Sequence, residues 1–376
     1  MCWSNNLNWE PEHNFMLQFF LAGLLHTHCP SFPKTKIFLL HSVWTRGCHC
    51  GIATRCPVQI HVLGHFGALR ILLDNKDNYR PLASPMVTET NLKVKQLITD
   101  LYNADHIDDM TKQWLCQTPN PPRVPEFYTL TKIHKPSLFG RPIVSGCDGP
   151  TEKLSSFVDK LLQPIAQQQK SYLKDTTDFV NFIENTKVPA DVILVSMDIM
   201  SLYPNILQEE GIDTVCRAYE IFYRNEPPIA TQLLKWALRL ILQENSFQFN
   251  GKNYLQTHGT AMGTKMAVAF SNIFMNKVET EILSQSLFKP LVWKRYIDDI
   301  FSLWTTNRDR IEHSIEQANN HHPTIKFTAE ISDKETTFIG QRGKIRKRRN
   351  PWCAYSFQTN WDISVYPFWF LSPARS

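Results

Sequence analysis

The sequence lacks a secretory signal. Its apolar stretch Phe15–Leu25 is too short to span a bilayer, and Glu10 and Glu12 precede it where a signal would carry lysines. An intracellular protein, nuclear or cytoplasmic and not secreted, with no membrane partner, is expected. A strong excess of one charge is also missing. Lys and Arg total 40 against 35 Asp and Glu, a net charge of +5. Six of those bases (Arg342, Lys344, Arg346, Lys347, Arg348, Arg349) stand in one run, and without them 34 bases face 35 acids. A nucleic-acid function therefore cannot rest on bulk charge. Glycine is sparse, at 14 of 376 residues, and charged residues make up 20%. Collagen-like, coiled-coil and wholly disordered chains are excluded, and the length allows two or three domain-sized units. The nine cysteines are an odd count, read as reduced thiols. Cys48, Cys50 and Cys56 lie near His41 and His49, but their spacing fits none of the paired zinc patterns.

Residues 1–74 show no sustained period and are expected to be irregular. From Asn75 the pattern sharpens. Leu92, Lys95, Ile98 and Tyr102 follow a helical period. A proline-rich link, Thr118–Pro125, leads to alternating residues over Phe127–Lys132, a strand, and Gly140–Ser145 extends again. Residues 151–184 read as helical with a break at Pro164. Asp191–Asp198 is nearly continuous apolar sequence ending in a carboxylate, which suits a buried strand emerging at a sheet end. Pro204 suits the first turn of a helix. Leu233–Leu242 is an apolar helix, and Phe247–Tyr254 holds an Asn-Gly hairpin signal. Gly263–Ile282 reads as a long helix. Leu291–Trp304 reads as two apolar strands with Asp298-Asp299 at or beside their turn. Arg308–Asn320 is a polar helix, and in Thr324–Ile331 the residues Ile325, Phe327, Ala329 and Ile331 share one strand face. This order predicts a mainly antiparallel sheet backed by helices, an α+β fold.

The chemistry is expected in the carboxylates. If the strands bearing Asp198 and Asp298-Asp299 are neighbours, their acidic ends converge. Clustered carboxylates need protons or cations, and hard oxygen ligands suit Mg2+. Two such ions, about 4 Å apart, activate an attacking 3′-oxygen and stabilise leaving pyrophosphate. Polymerases and some nucleases share that arrangement, and an Asp-Asp pair in isolation is more often a solvated turn. Its place between two apolar runs, with a second strand-end aspartate, argues for the site. Lys132, Lys135 and Arg141 flank a strand pair and suit phosphates, with a solvated basic edge as the competing reading. Gly259 and Gly263 suit close approach of a nucleotide, against a plain helix-start turn. Tyr203 suits the wall of a sugar pocket, against a place in the core.

In order, the segments N-Y-R-P-L (78–82), N-P-P-R-V-P (120–125), K-I-H-K-P (132–136), G-R-P-I-V-S-G (140–146), M-D-I-M-S-L-Y-P-N-I (197–206), Q-T-H-G-T-A-M-G-T-K-M-A (256–267), R-Y-I-D-D-I-F (295–301) and H-P-T-I-K-F-T (322–328) resemble reverse transcriptases, most closely those of Penelope-like retroelements. The resemblance covers residues 75–338. It implies a right-hand polymerase with fingers over 75–190 and palm over 191–338, the thumb largely missing and the GIY-YIG nuclease absent. It also implies an RNA template, a DNA primer and deoxynucleoside triphosphates as partners. Asp198, Asp298 and Asp299 match the ligands of two Mg2+ ions, with Mn2+ as a substitute. Tyr203 matches the steric gate against ribose, and Arg141 with Lys132 and Lys135 the fingers residues that hold the triphosphate. Gly259 and Gly263 match the loop that positions template and nucleotide, and Lys326 lies near a lysine that protonates pyrophosphate.

The sequence departs from the family at Val268 or Ala269, where Pro is usual, and at Pro204, where Thr is common. After Phe338 the chain leaves the pattern altogether. The 339–376 tail is expected to be irregular and translated out of frame or through an intron, and 1–74 to have a similar origin. Two other readings stand beside the polymerase. The segment S-L-Y-P-N-I also resembles B-type DNA polymerases, although those usually carry Asp-Thr-Asp in the second acidic motif. A decayed element fragment that at most binds nucleic acid is the non-enzymatic alternative.

Overall fold

The structure is a computed structural model that describes residues 73–131, 140–189, 191–224, 226–339, 341–347 and 355–360. Backbone contacts divide the chain into two units. One comprises residues 1–75 with 129–141, and the other residues 76–128 with 142–376. Nearly all described residues belong to the second, and the account below concerns it.

The elements follow in chain order. They are β1 (Tyr79–Leu82), α1 (Val87–Asn103), α2 (Asp109–Leu115), β2 (Glu126–Thr131), β3 (Gly140–Ser145), α3 (Glu152–Gln167), α4 (Thr176–Asn185) and β4 (Ile193–Ile199). Next come α5 (Leu202–Asn205), α6 (Gln208–Tyr223), α7 (Thr231–Gln243), β5 (Ser246–Phe249), β6 (Lys252–Gln256) and α8 (Ala267–Gln285). The order ends with β7 (Val292–Tyr296), β8 (Asp299–Trp304), α9 (Arg308–His321), β9 (Phe327–Ser332), β10 (Glu335–Phe338), β11 (Gln341–Lys347) and β12 (Tyr355–Asn360).

Three sheets result. The first has the order β1-β6-β5-β2-β3, the second β7-β8-β4-β9 and the third β10-β11-β12. The second is antiparallel throughout, as the order of the elements predicts. The Asn250-Gly251 hairpin forms with both residues left-handed, φ 47° and 75°, the pairing a two-residue turn favours.

α8 explains where the core lies. It is apolar almost all round, with Phe270, Ile273, Phe274 and Val278 buried together with Asn272 and Glu279, so it takes the centre rather than a surface. One face of the β4 sheet, through Val195, Met197, Ile199 and Ile300, joins α1, α3, α6, α7 and α8 in the main core. The opposite face is split. At one end Leu194, Phe301 and Leu303 pack with Phe179 and Ile183 of α4 and with Phe338. The acidic residues lie at the other end.

Two helices and the tail differ from expectation. α3 runs through Pro164 to Gln167, because Leu162, Ile165 and Ala166 continue the buried stripe begun by Leu154 and Val158. That burial outweighs one lost amide hydrogen bond. α8 begins at Ala267 rather than Gly263, since Gly263 has φ 113°, outside helical space. In β9 Phe327, Ala329 and Ile331 stand opposite Ile199, Met197 and Val195 and so share one face, as expected. Ile325 and Phe327 are buried, but Ala329 is exposed, because β9 is an edge strand. Beyond residue 340 the backbone of 341–347 and 355–360 forms strands that pair with β10 and with each other, where irregular chain was expected. Among the described residues no helix is long and apolar enough to cross a membrane.

Candidate active site

The sheet register brings the carboxylates together. Asp198 on β4 stands directly opposite Asp299 on β8, and opposite Thr328 on β9. Ile199 N donates to Asp298 O at 2.9 Å, so 198 and 299 form the adjoining non-hydrogen-bonded pair. Such pairs hold their Cα atoms about 4.5 Å apart with side chains on one face. Asp198 is exposed and Asp298 and Asp299 are half-buried. Like charges so placed repel one another. The local field reaches Tyr296, which lies opposite Asp299 on β7. Burial first, then Asp175, Asp298 and Asp299, raise the pKa of its hydroxyl.

The β7–β8 connection is two residues, Ile297 and Asp298. Ile297 has φ 56°, an unusual conformation for a β-branched side chain. Behind it, Arg295 points away from the carboxylates toward α8 and is buried with Glu279 and Asn272. Arg295 Nε donates to Glu279 Oε1 at 2.8 Å, and Nη1 donates to Asn272 Oδ1 and to the Ile297 carbonyl. Sequence reasoning missed all three. A strand inside an apolar run must bury every second residue, so one of Lys294 and Arg295 had to be buried and needed an acid. That signal was available.

The Gly259 loop packs on the chain just after β4. Gly259 has φ 67°, and a Cβ there would lie 2.5 Å from the Pro204 Cα and from the Tyr203 carbonyl oxygen. Thr260 N donates to that same oxygen at 2.9 Å, and Gln208 Nε2 donates to the Gly259 carbonyl at 2.9 Å. The loop thus fixes the backbone of Tyr203, whose ring is half-buried. Gly263 is pressed against β3, where a Cβ would lie 2.5 Å from the Val144 carbonyl oxygen. Gly259 and Tyr203 are thus in contact, and Gly263 lies against β3.

Lys326 is differently placed. Its backbone carbonyl accepts from Met200 N at 2.9 Å, beside the acidic strand end. Its ammonium, however, donates to the carbonyls of Asn319 and His322 at the C-terminus of α9, where a cation complements the helix dipole. Nearby, His322 Nδ1 accepts from Ile325 N at 3.2 Å, which leaves Nε2 to donate to Glu210 Oε2 at 3.0 Å. Arg141 is exposed near the start of β3, in the first of the two units. Lys132 and Lys135 lie outside the described residues.

Among the described residues no group of three or more His, Cys, Asp or Glu side chains closes around an ion site. The opposed pair still fits Mg2+, which is held through one or two carboxylates together with substrate phosphates and waters.

Comparison with known proteins bears on the same region. The family described as reverse transcriptase (RNA-dependent DNA polymerase) matches residues 133–339. No curated protein matches. Among solved structures, apo telomerase from Candida tropicalis, truncated from its C-terminal domain, is similar with a TM-score of 0.50 at 11% identity, over 80% of this chain and 60% of that one. Telomerase from Candida tropicalis with the TWJ fragment of telomeric RNA gives 0.51 at 10% identity, over 81% and 49%. The Candida albicans enzyme with the same kind of fragment gives 0.50 at 8%, over 76% and 50%. At these identities the likeness is one of fold, sheets backed by helices as in polymerase fingers and palm. The chain spans about half to three-fifths of the length of these structures.

Proposed function

The chain belongs to the reverse transcriptase (RNA-dependent DNA polymerase) family, which matches more than half of it, and on that premise we propose that it copies an RNA template into DNA for a Penelope-like retroelement. The single observation that carries the chemistry is the direct opposition of Asp198 and Asp299, with Asp298 in the adjoining turn. Acids 100 residues apart in sequence meet at one sheet end, and hard carboxylate oxygens so clustered suit divalent cations.

In this reading Asp198, Asp298 and Asp299 hold divalent ions, Mg2+ or its substitute Mn2+. When bound, such ions polarise the primer 3′-hydroxyl and neutralise the triphosphate. The protein's own work is placement. Three hydrogen-bonded strands, β8, β4 and β9, fix the acids in register. The Gly259 loop holds the Tyr203 backbone, so that its ring bounds the sugar and favours deoxyribose. Gly263 lets the loop lie close on β3. Arg141, with Lys132 and Lys135, is assigned to the triphosphate by the motif resemblance alone. The bonding of Lys326 to α9 supports a role in anchoring β9 beside Asp198, and proton donation by it requires those bonds to break. The order of the motifs along the chain supports the retroelement assignment.

The test is primer extension on RNA and DNA templates with Mg2+ or Mn2+, beside Asp298→Ala. Extension favouring RNA, with a loss of about a thousandfold in the variant by analogy with other preorganised electrostatic groups, supports the proposal. Equal activity of parent and variant overturns the metal reading, and a preference for DNA overturns the template assignment.

A further inference from the structure

Behind the acidic turn lies a charged cluster that the proposed function leaves unused. The Arg295 side chain is 1% exposed and that of Glu279 3%. Glu279 is held from three sides. Arg295 Nε donates to Oε1 at 2.8 Å, Trp293 Nε1 to Oε1 at 3.0 Å and Ser171 Oγ to Oε2 at 2.7 Å. The rest of the guanidinium is also committed. Nη1 donates to Asn272 Oδ1 and, at 3.1 Å, to the Ile297 carbonyl, and Nη2 donates to the Asn272 carbonyl at 3.2 Å. The Arg295 backbone is bonded as well, its N–H to Ser171 O at 2.7 Å and its carbonyl from Leu173 N at 3.0 Å.

Packing does not account for this cluster, since well-fitted apolar side chains fill such a space with no desolvation cost. The turn it grips supplies a reason. Ile297 is left-handed at φ 56° while Asp298 is not, the pattern of a turn whose first central position favours glycine. A β-branched residue stays there only when its surroundings over-determine it. One hydrogen bond from Arg295 reaches the Ile297 carbonyl, the peptide that leads into Asp298.

We propose that Arg295, anchored by Glu279 and Asn272, is a positioning residue that holds Ile297 in its left-handed turn and thereby sets where the Asp298 and Asp299 carboxylates stand toward the divalent ions. The inference rests on reading those carboxylates as ion ligands. Arg295 itself touches neither ion nor substrate, and acts through the turn.

Mn2+ binding to the full chain, followed by electron paramagnetic resonance of the free ion, tests this without turnover. Arg295→Lys keeps the charge but cannot reach Glu279, Asn272 and the Ile297 carbonyl together. Binding is expected to weaken by about 10- to 100-fold, the range for lost partners behind metal ligands. Ile297→Gly in that background is expected to recover most of the loss, because glycine takes the turn unaided. A merely structural role for Arg295 predicts no such rescue. If Arg295→Lys fails to fold, Asn272→Ala, which removes an acceptor and no charge, carries the same comparison. Parent-like binding by the unrescued variant, or absence of rescue by glycine, overturns the inference alone. If the parent binds no Mn2+, or Asp298→Ala binds it as well as the parent, the reading of the carboxylates falls and the inference with it.

Discussion

Gly259 and Gly251 share a backbone conformation but not surroundings, and that contrast yields a sharp prediction. Both are left-handed, φ 67° and 75°, but a Cβ on Gly251 would meet nothing within 4 Å. On Gly259 it would lie 2.5 Å from the Tyr203 carbonyl oxygen and 2.6 Å from that of Pro204. Alanine at either position bears a left-handed cost of about 1–2 kcal/mol, offset by about 0.4–1 kcal/mol through a less flexible unfolded chain. Gly251→Ala should therefore destabilise by about 0–1.6 kcal/mol. Gly259→Ala must in addition push two backbone carbonyls aside by roughly 1 Å to regain ordinary contact distance. Overpacking of that kind adds about 1–3 kcal/mol, and here rigid main chain must give way, so the upper half of that range applies. Urea unfolding followed by tryptophan fluorescence measures the difference between the two variants, in which the shared backbone term cancels. The same displacement moves Tyr203, and a 1 Å misplacement near the reacting groups costs on the order of a hundredfold in rate. Primer extension should fall accordingly in Gly259→Ala and stay at the parent level in Gly251→Ala. Equal urea midpoints for the two alanines would refute the reasoning.

Other consequences are open to direct measurement. Burial pushes the hydroxyls of Tyr79 and Tyr219 up to about 12, so the folded chain holds these protons more tightly than the unfolded one. Their contribution to stability is complete below pH 10 and is lost as pH rises toward 12; urea midpoints should drop across that window, and in Tyr219→Phe the drop should be shallower. Pro164 is exposed within α3, so Pro164→Ala restores an amide and relieves the ring clash, raising stability by about 1–3 kcal/mol in thermal or urea unfolding. Burial pushes the Cys216 thiol up to about 11, whereas Cys116 and Cys147 are exposed; peptide mass mapping after brief iodoacetamide treatment at pH 8 should show Cys216 modified after both of them.

How much the sequence revealed followed from how local each determinant was. Asp198 was legible because an apolar run must leave the sheet where its polar residue begins, and Asp298-Asp299 because two apolar runs so close together must turn between them. The Asn250-Gly251 hairpin was legible because those residue types meet its dihedral demand unaided. Pro164 misled because the local rule for proline ignores a buried stripe that continues past it. Gly263 misled because its role is set by β3, a segment some 120 residues earlier. Arg295 stayed hidden beside Lys294, since two adjacent bases look like a solvated edge until the strand's alternation turns one inward, and its partners Glu279 and Asn272 belong to a different helix. Lys326 was read by its nearness to the acidic motif, but a long flexible side chain goes where unpaired carbonyls are, and the end of α9 supplied two.

The split outer face of the β4 sheet ties these observations into one design constraint. Leu194, Ser196 and Asp198 project from the same side of one strand, as do Leu303, Phe301 and Asp299 from its neighbour. A single register therefore carries both a small apolar core and an acidic pair. A slip of one residue would turn Asp198 into the main core and expose Met197 and Ile199, exchanging apolar burial for a buried charge. The packing of Leu194 and Phe301 against Phe179 and Phe338 thus does more than stabilise that end of the sheet. It disfavours registers that would separate Asp198 from Asp299, so apolar contacts two to four residues away help to hold the acids opposite one another.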